Sequence, residues 1–213
     1  MFVGHYGVSF AAKRMEGSIP LWLLFLAVQF LDVLWAPLVL VGVEKVRIVP
    51  GITASNPLDL YYMPYTHGLV AALLWSVAAG LAYRFVARPS DPRPALVVGM
   101  AVFSHWILDF VVHRPDLPVY DNAAKIGLGL WNRPALAFGL EATLLLGGMA
   151  LCLARRPRRT IETLAFGLVM LGIQAYIFFG PPPASDRAAA STALGAYAIF
   201  ALLIWWLQDR SEA

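Results

Sequence analysis

The stretch SHWILDFVVHRPDLP (104–118) carries His105, Asp109 and His113, three proton- or metal-binding side chains repeating every four residues. Residues four apart are neighbours on one face of an α-helix, so two imidazoles and a carboxylate form a stripe among apolar residues. Asp32 in VQFLDVLWAPL, His67 in MPYTHGLV and Glu141 in WNRPALAFGLEATLL lie in similar surroundings, and the fourth histidine, His5, lies in FVGHYGVSFAAK. Imidazole nitrogens and carboxylate oxygens suit Zn²⁺ and related divalent ions, which take three or more such ligands each. These seven candidates exceed one tetrahedral ion, whereas two or three metals sharing bridging carboxylates would use them, activating water and holding a phosphoryl oxygen. Taken singly, each has a plainer reading: a membrane histidine hydrogen-bonds between helices, and a lone carboxylate pairs with an arginine or a backbone group. The pair His105 and Asp109 stands out because its helix preorganises it.

The elements that must position these residues are membrane helices. Of 213 residues 60% are hydrophobic and 14% charged, a balance that departs from soluble domains and points to an integral membrane protein. A net charge of +3 without a basic stripe sets nucleic acid aside as a partner. The single cysteine, Cys152, allows neither a disulfide nor a thiolate metal site within one chain. Apolar runs of bilayer-spanning length occur at roughly 20–43, 64–84, 94–113, 134–154, 160–180 and 188–207. The expected fold is an all-α polytopic bundle of about six transmembrane helices, one membrane domain over 1–213, in which 1–120 carry the metal-site motifs and 121–213 supply the remaining helices. Prolines 20, 64, 94 and 134 mark helix starts, where the missing N–H has no partner to lose. The N-terminus lacks a basic start and a small-residue cleavage site, so the first span is expected to serve as an uncleaved anchor.

Ten Lys and Arg fall on the side of both termini and six on the other, which predicts cytoplasmic termini. The RRPRR segment (155–159) contributes most of that excess and reads as topogenic. The outward loops 44–63 and 114–133 hold Asp59, Tyr61, Tyr62, Asp116, Asp121, Lys125, Trp131 and Asn132. They can shape a substrate mouth, although interfacial aromatics also serve as belt anchors. At a rise of ~1.5 Å per residue from the proline starts, Asp32, His67, His105, Asp109, His113 and Glu141 all fall between the midplane and the outer surface. His5 joins them if its segment folds back as a short helix with Lys13 and Arg14 at the inner interface; the other reading is an interfacial helix with His5 exposed.

The segments GHYGVSFAAK, FLD, YTHGL and SHWILDFVVHRPDLP together resemble the bacterial inner-membrane metal-dependent hydrolase family over about residues 1–120. Their order of His, Asp, His, His-x-x-x-Asp, His and a late Glu is also similar to the ligand order of zinc-dependent phospholipase C and the P1-type nucleases. The resemblance implies His5, Asp32, His67, His105 and Asp109 as metal ligands, with His113 and Glu141 available to complete the shell. It also implies one to three divalent ions, zinc foremost, in a protein of the bacterial inner membrane. The expected activity is hydrolysis of a phosphoester or other ester of a lipid. Asp32 or Asp109 would orient or deprotonate water, and Arg114 and Lys125 would hold the anionic group, with Asn132 among the substrate contacts. The lipid follows from location, since a site just below the outer surface meets headgroups first. Two other classes share these residues: a metal-ion or proton-coupled transporter, for which no inverted repeat is visible, and a structural protein whose metal staples helices in a closed shell.

Overall fold

Within a bilayer an unpaired backbone N–H or C=O has no water to bond, so a single apolar chain crosses as helices. The computed structural model describes residues 1–155, 157 and 159–209. Among these it has eight α-helices: α1 (Val3–Met15), α2 (Leu21–Val28), α3 (Phe30–Leu40), α4 (Leu69–Ala87), α5 (Arg93–Val112), α6 (Pro134–Arg155), α7 (Thr160–Phe179) and α8 (Asp186–Ile204). The all-α bundle carries one small addition, an antiparallel hairpin of β1 (Lys45–Ile48) and β2 (Leu58–Tyr62) with Arg47 opposite Asp59. Among the described residues, α4 to α8 are each long and apolar enough to cross a bilayer, and α2 with α3 makes a sixth span if the bent pair is counted as one. Large apolar side chains such as Leu74, Phe85 and Val86 of α4 project from the bundle, as lipid-facing residues do. The RRPRR segment in part, and Arg210 wholly, lie outside the described residues.

The first span is not the straight helix expected over 20–43. Helices α2 and α3 meet at Gln29 with a 55° bend. Neither proline nor glycine stands at the break, and Pro37 lies inside α3. Polar contacts hold it instead. The Val28 carbonyl, freed from the helix ladder, accepts from His105 Nδ1 at 2.7 Å, and buried Gln29 donates from Nε2 to the Phe2 carbonyl at 3.1 Å. Asp32 is thereby a first-turn residue of α3 and not a mid-span residue. Two other boundaries shift. Helix α4 begins at Leu69 and not at Pro64, which leaves His67 in the preceding loop. Helix α5 ends at Val112, with extended His113 as its C-cap.

Helix α1 packs chiefly on α6 and α2 and is mostly buried, so the N-terminal segment folds into the bundle. No neighbouring side chain caps it. Glu141 of α6 does so from a distance, accepting from the backbone N–H of Phe2 at 2.9 Å and of Gly4 at 3.2 Å. A carboxylate there satisfies otherwise unpaired donors and complements the helix dipole. At the other end Lys13 Nζ donates to the carbonyls of Gly17 and Ile19 at 3.0 and 2.8 Å. The α1–α6 crossing is backbone on backbone: a Cβ on Gly7 would lie 2.1 Å from the Leu144 carbonyl oxygen, and one on Gly148 2.0 Å from that of Gly7. Small residues permit such approach between apolar helices.

Gly148→Ala should therefore push α1 away from α6. The expected loss is ~1–3 kcal/mol, read as a lower thermal unfolding midpoint in detergent. Gly147→Ala, whose added Cβ would meet nothing within 4 Å, should leave the midpoint unchanged or raised.

Candidate metal centre

Helices α1, α3 and α5 and the loop before α4 bring four imidazoles to two carboxylates. Asp109 lies centrally. Its Oδ1 is 3.2 Å from His5 Nε2, and its Oδ2 is 3.2 Å from His105 Nε2, 3.4 Å from His113 Nε2 and 3.7 Å from His67 Nε2. Asp32 Oδ1 faces His67 Nε2 at 3.2 Å and His105 Nε2 at 3.7 Å. His5 and His105 are fully buried, and their rings stack at 4.0 Å. The Met1 amine lies 2.5 Å from Asp109 Oδ1, a positive charge on an oxygen suited to a cation.

Three of the histidines are held from behind. His105 Nδ1 donates to Val28 O. His67 Nδ1 bonds the Thr66 hydroxyl at 2.8 Å, and that hydroxyl donates its own proton to Glu44 Oε2 at 2.6 Å. The hydroxyl oxygen is thus left to accept from Nδ1. Glu44 Oε1 in turn accepts the backbone N–H of Tyr65 and Thr66 at 2.8 and 3.0 Å. Burial pushes the Glu44 carboxyl above its ordinary value, an effect that His67 and the Thr66 hydroxyl only partly offset. His113 Nδ1 meets Asp116 Oδ1 at 2.9 Å, and its ring packs on Trp131 at 4.1 Å. Anchoring Nδ1 fixes the tautomer and turns Nε2 inward as a lone-pair donor, the arrangement that supports metal-binding histidines.

Two donor groups are compact enough for an ion: His5, His105 and Asp109, and Asp32, His67 and His105, each with ligand atoms within 4.8 Å of one another. Both nitrogens of His5 and Nε2 of His105 are buried without a hydrogen bond, which is costly for a polar atom and would be relieved by coordination. The residues therefore fit a divalent cation. His105 has one nitrogen to give, so it serves one ion at a time.

Other sequence candidates lie elsewhere. Glu141 lines the cavity described below, yet its Oε2 caps α1 and its Oε1 accepts from Gln174 Nε2 at 2.9 Å, so its contacts are those of a helix anchor. Arg114 is held by Asp59 and, at 3.2 Å, by Asp116. Lys125 donates to the Tyr61 carbonyl at 2.7 Å, and Asn132 is exposed on a single 3₁₀ turn. None of Arg114, Lys125 or Asn132 lines the cavity; the first two tie the hairpin and the 114–133 loop together. Trp131, weighed above as mouth or belt residue, is buried against His113.

Several contributors were not singled out from the sequence. Tyr197 of α8 donates its hydroxyl to Asp32 Oδ2 at 2.6 Å, orienting the oxygen that no histidine faces. Glu44 and Thr66 support His67 from behind, while Gln29 and Gln174 hold the α1 end through the Phe2 carbonyl and Glu141. Gln29 and Gln174 are polar residues within apolar runs, a visible signal; nothing local marks Tyr197. A cavity of about 570 Å³ reaches Asp32, His67, Asp109 and His113 and extends among largely apolar residues of α3, α7 and α8. Comparison with known protein families, curated proteins and solved structures finds no match, so geometry alone carries the functional argument.

His105→Ala should remove most of any divalent metal the protein binds, and His5→Ala should lower it while the apolar spans still insert and fold. Thr66→Val, which leaves His67 in place and removes its Nδ1 acceptor, should weaken metal binding ~10–100-fold. Equilibrium dialysis with elemental analysis measures all three. Metal should be lost more steeply at acid pH in each variant, because protons compete for the imidazoles.

Proposed function

We propose that this protein is a membrane-embedded, metal-dependent hydrolase of a phosphoester or other ester carried by a lipid or membrane-associated substrate. The observation that carries this reading is a buried His and Asp cluster that is open on one side: His5 and His105 are sealed within the bundle, whereas Asp32, His67, Asp109 and His113 face the cavity. A purely structural metal closes its coordination shell; a catalytic one keeps a position open.

His105 with His5 and Asp109, or with Asp32 and His67, would hold a divalent cation, zinc being favoured by the N and O donor set. A cation in such a site lowers the pKa of water and polarises an ester oxygen. The chain's own groups would do the rest. With the ion in the His5, His105 and Asp109 group, Asp32 would be left as general base, its Oδ2 held by Tyr197 and its Oδ1 facing the site. Asp109 gathers the imidazoles, and His113 stands beside it at the cavity wall to exchange a proton with substrate. The hairpin and the 114–133 loop would then form the outer face, with both termini cytoplasmic in a bacterial inner membrane.

The broken α2–α3 helix favours a second reading. Broken helices with freed carbonyls also build ion sites in transporters, so zinc uptake into proteoliposomes is the comparison to make.

Zinc-loaded protein should release product from a lipid phosphoester or ester. Chelator should abolish turnover and zinc should restore it. Asp32→Asn should lower kcat by ~100-fold or more, as loss of a general base does, and Tyr197→Phe by less. Absence of turnover together with zinc uptake would replace this proposal with the transporter. For orientation, Asp121→Cys should react with an impermeant thiol reagent added from outside; labelling only from the cytoplasm would invert the assignment.

A further inference from the structure

Short connections in helical bundles normally join helices that pack against each other. The segment joining α7 and α8 is short, yet the two helices part toward it: Phe166 and Phe200 meet edge to face at 5.5 Å near the far ends, and the residues closer to the connection line a gap. Helix α7 packs on α6, and α8 packs on α2 and α3. Pro181, Pro182 and Pro183 stand between them and line the same cavity. The space left between the helices is the outer part of the cavity that ends at Asp32 and Asp109. Its walls are Ile173 and Ile177 of α7 and the small residues Ala189, Thr192, Ala193 and Ala196 of α8.

Both helices are long and apolar enough to cross a bilayer, so a gap between their middle turns lies against hydrocarbon, while Asn56, Pro57 and Pro181 line its end nearer the loops. Water does not wet an apolar slot at that depth, and lipid chains are the matter available to fill it. The cavity, about 570 Å³, is large enough to admit an apolar chain. A tail leaving the bilayer for an equally apolar slot gains little, which leaves selection to the headgroup at the polar end.

We propose that the α7–α8 cleft is a lateral portal through which a membrane amphiphile enters, with one apolar chain between the helices and its headgroup at Asp32, His67 and Asp109. The identity of the bond cleaved rests on the hydrolase reading above; occupancy of the portal does not. The α8 alanines set the bore, because a Cβ there leaves room that a larger side chain would fill.

The test uses the full-length protein in phosphatidylcholine vesicles with lysophosphatidylcholine bearing a diazirine at the end of its chain. Expected is saturable photolabelling, displaced by unlabelled lysophosphatidylcholine, that maps to peptides around Ile177 and Ala193. It should fall roughly tenfold in Ala193→Phe and in Thr192→Trp, with zinc content unchanged. Val77→Phe, on the exposed face of α4, should leave it as it was. Labelling that does not saturate, that is as strong on α4 as in the cleft, or that survives both substitutions overturns the portal. So does a Thr192→Cys variant that crosslinks copy to copy, since a second molecule then covers the cleft. Ester cleavage is scored separately. Saturable labelling without cleavage keeps the portal and removes the hydrolase reading, whereas cleavage of a water-soluble phosphoester without labelling removes the portal alone.

Discussion

Ionisable groups at membrane depth are tolerated when they face one another, and the architecture of this protein follows from satisfying that condition for Asp32 and Asp109. A lone carboxylate among apolar helices carries a desolvation penalty that it escapes by losing its charge or finding partners. Here the partners are four imidazoles and an amine, drawn from α1, α5, the loop before α4 and the α5 C-cap. Because they come from separate segments, those segments are pinned to one point. The same condition explains why α1, too short to span, is drawn into the bundle with His5 inward.

A second constraint is the backbone. Every break in a buried helix exposes groups that need partners, and at three places near the site a side chain from elsewhere supplies one. The Val28 carbonyl takes His105, the α1 N-terminus takes Glu141, and the Tyr65 and Thr66 amides take Glu44. These bonds act on the ligands. His105 is oriented by the break at Gln29, and His67 by the turn that Glu44 holds. Helix irregularity and site geometry are two sides of one arrangement, so loosening the first misplaces the second.

The remaining elements arrange access. On one side Arg114 and Lys125 tie the hairpin to the 114–133 loop, and Arg47 pairs with Asp59 within the hairpin. On the other side α7 and α8 diverge. The cavity that reaches the polar cluster is lined both by these two helices and by the loop residues Asn56, Pro57 and Pro181.

Periodicity and hydropathy made much of this legible. The four-residue repeat put His105 and Asp109 on one face because helix geometry is local, and the apolar runs marked the spans because length and composition suffice for that. The rise of a straight helix does not describe how Asp32 and His67 reach the cluster, since a 55° bend precedes the one and the other lies in a loop. The break at Gln29 was not legible, since no proline or glycine marks it and its cause is a histidine 76 residues further along the chain. Glu141 was ambiguous for a related reason: a carboxylate in a span serves a metal or an orphan helix end equally well, and only the docking of α1 against α6 decides. Arg114 read as a free cation until the hairpin brought Asp59 to it. Local spacing and polarity therefore determined which residues could act. Tertiary packing decided which of them meet, because each decisive partner is distant in the chain and is chosen by the need to satisfy buried charge and backbone.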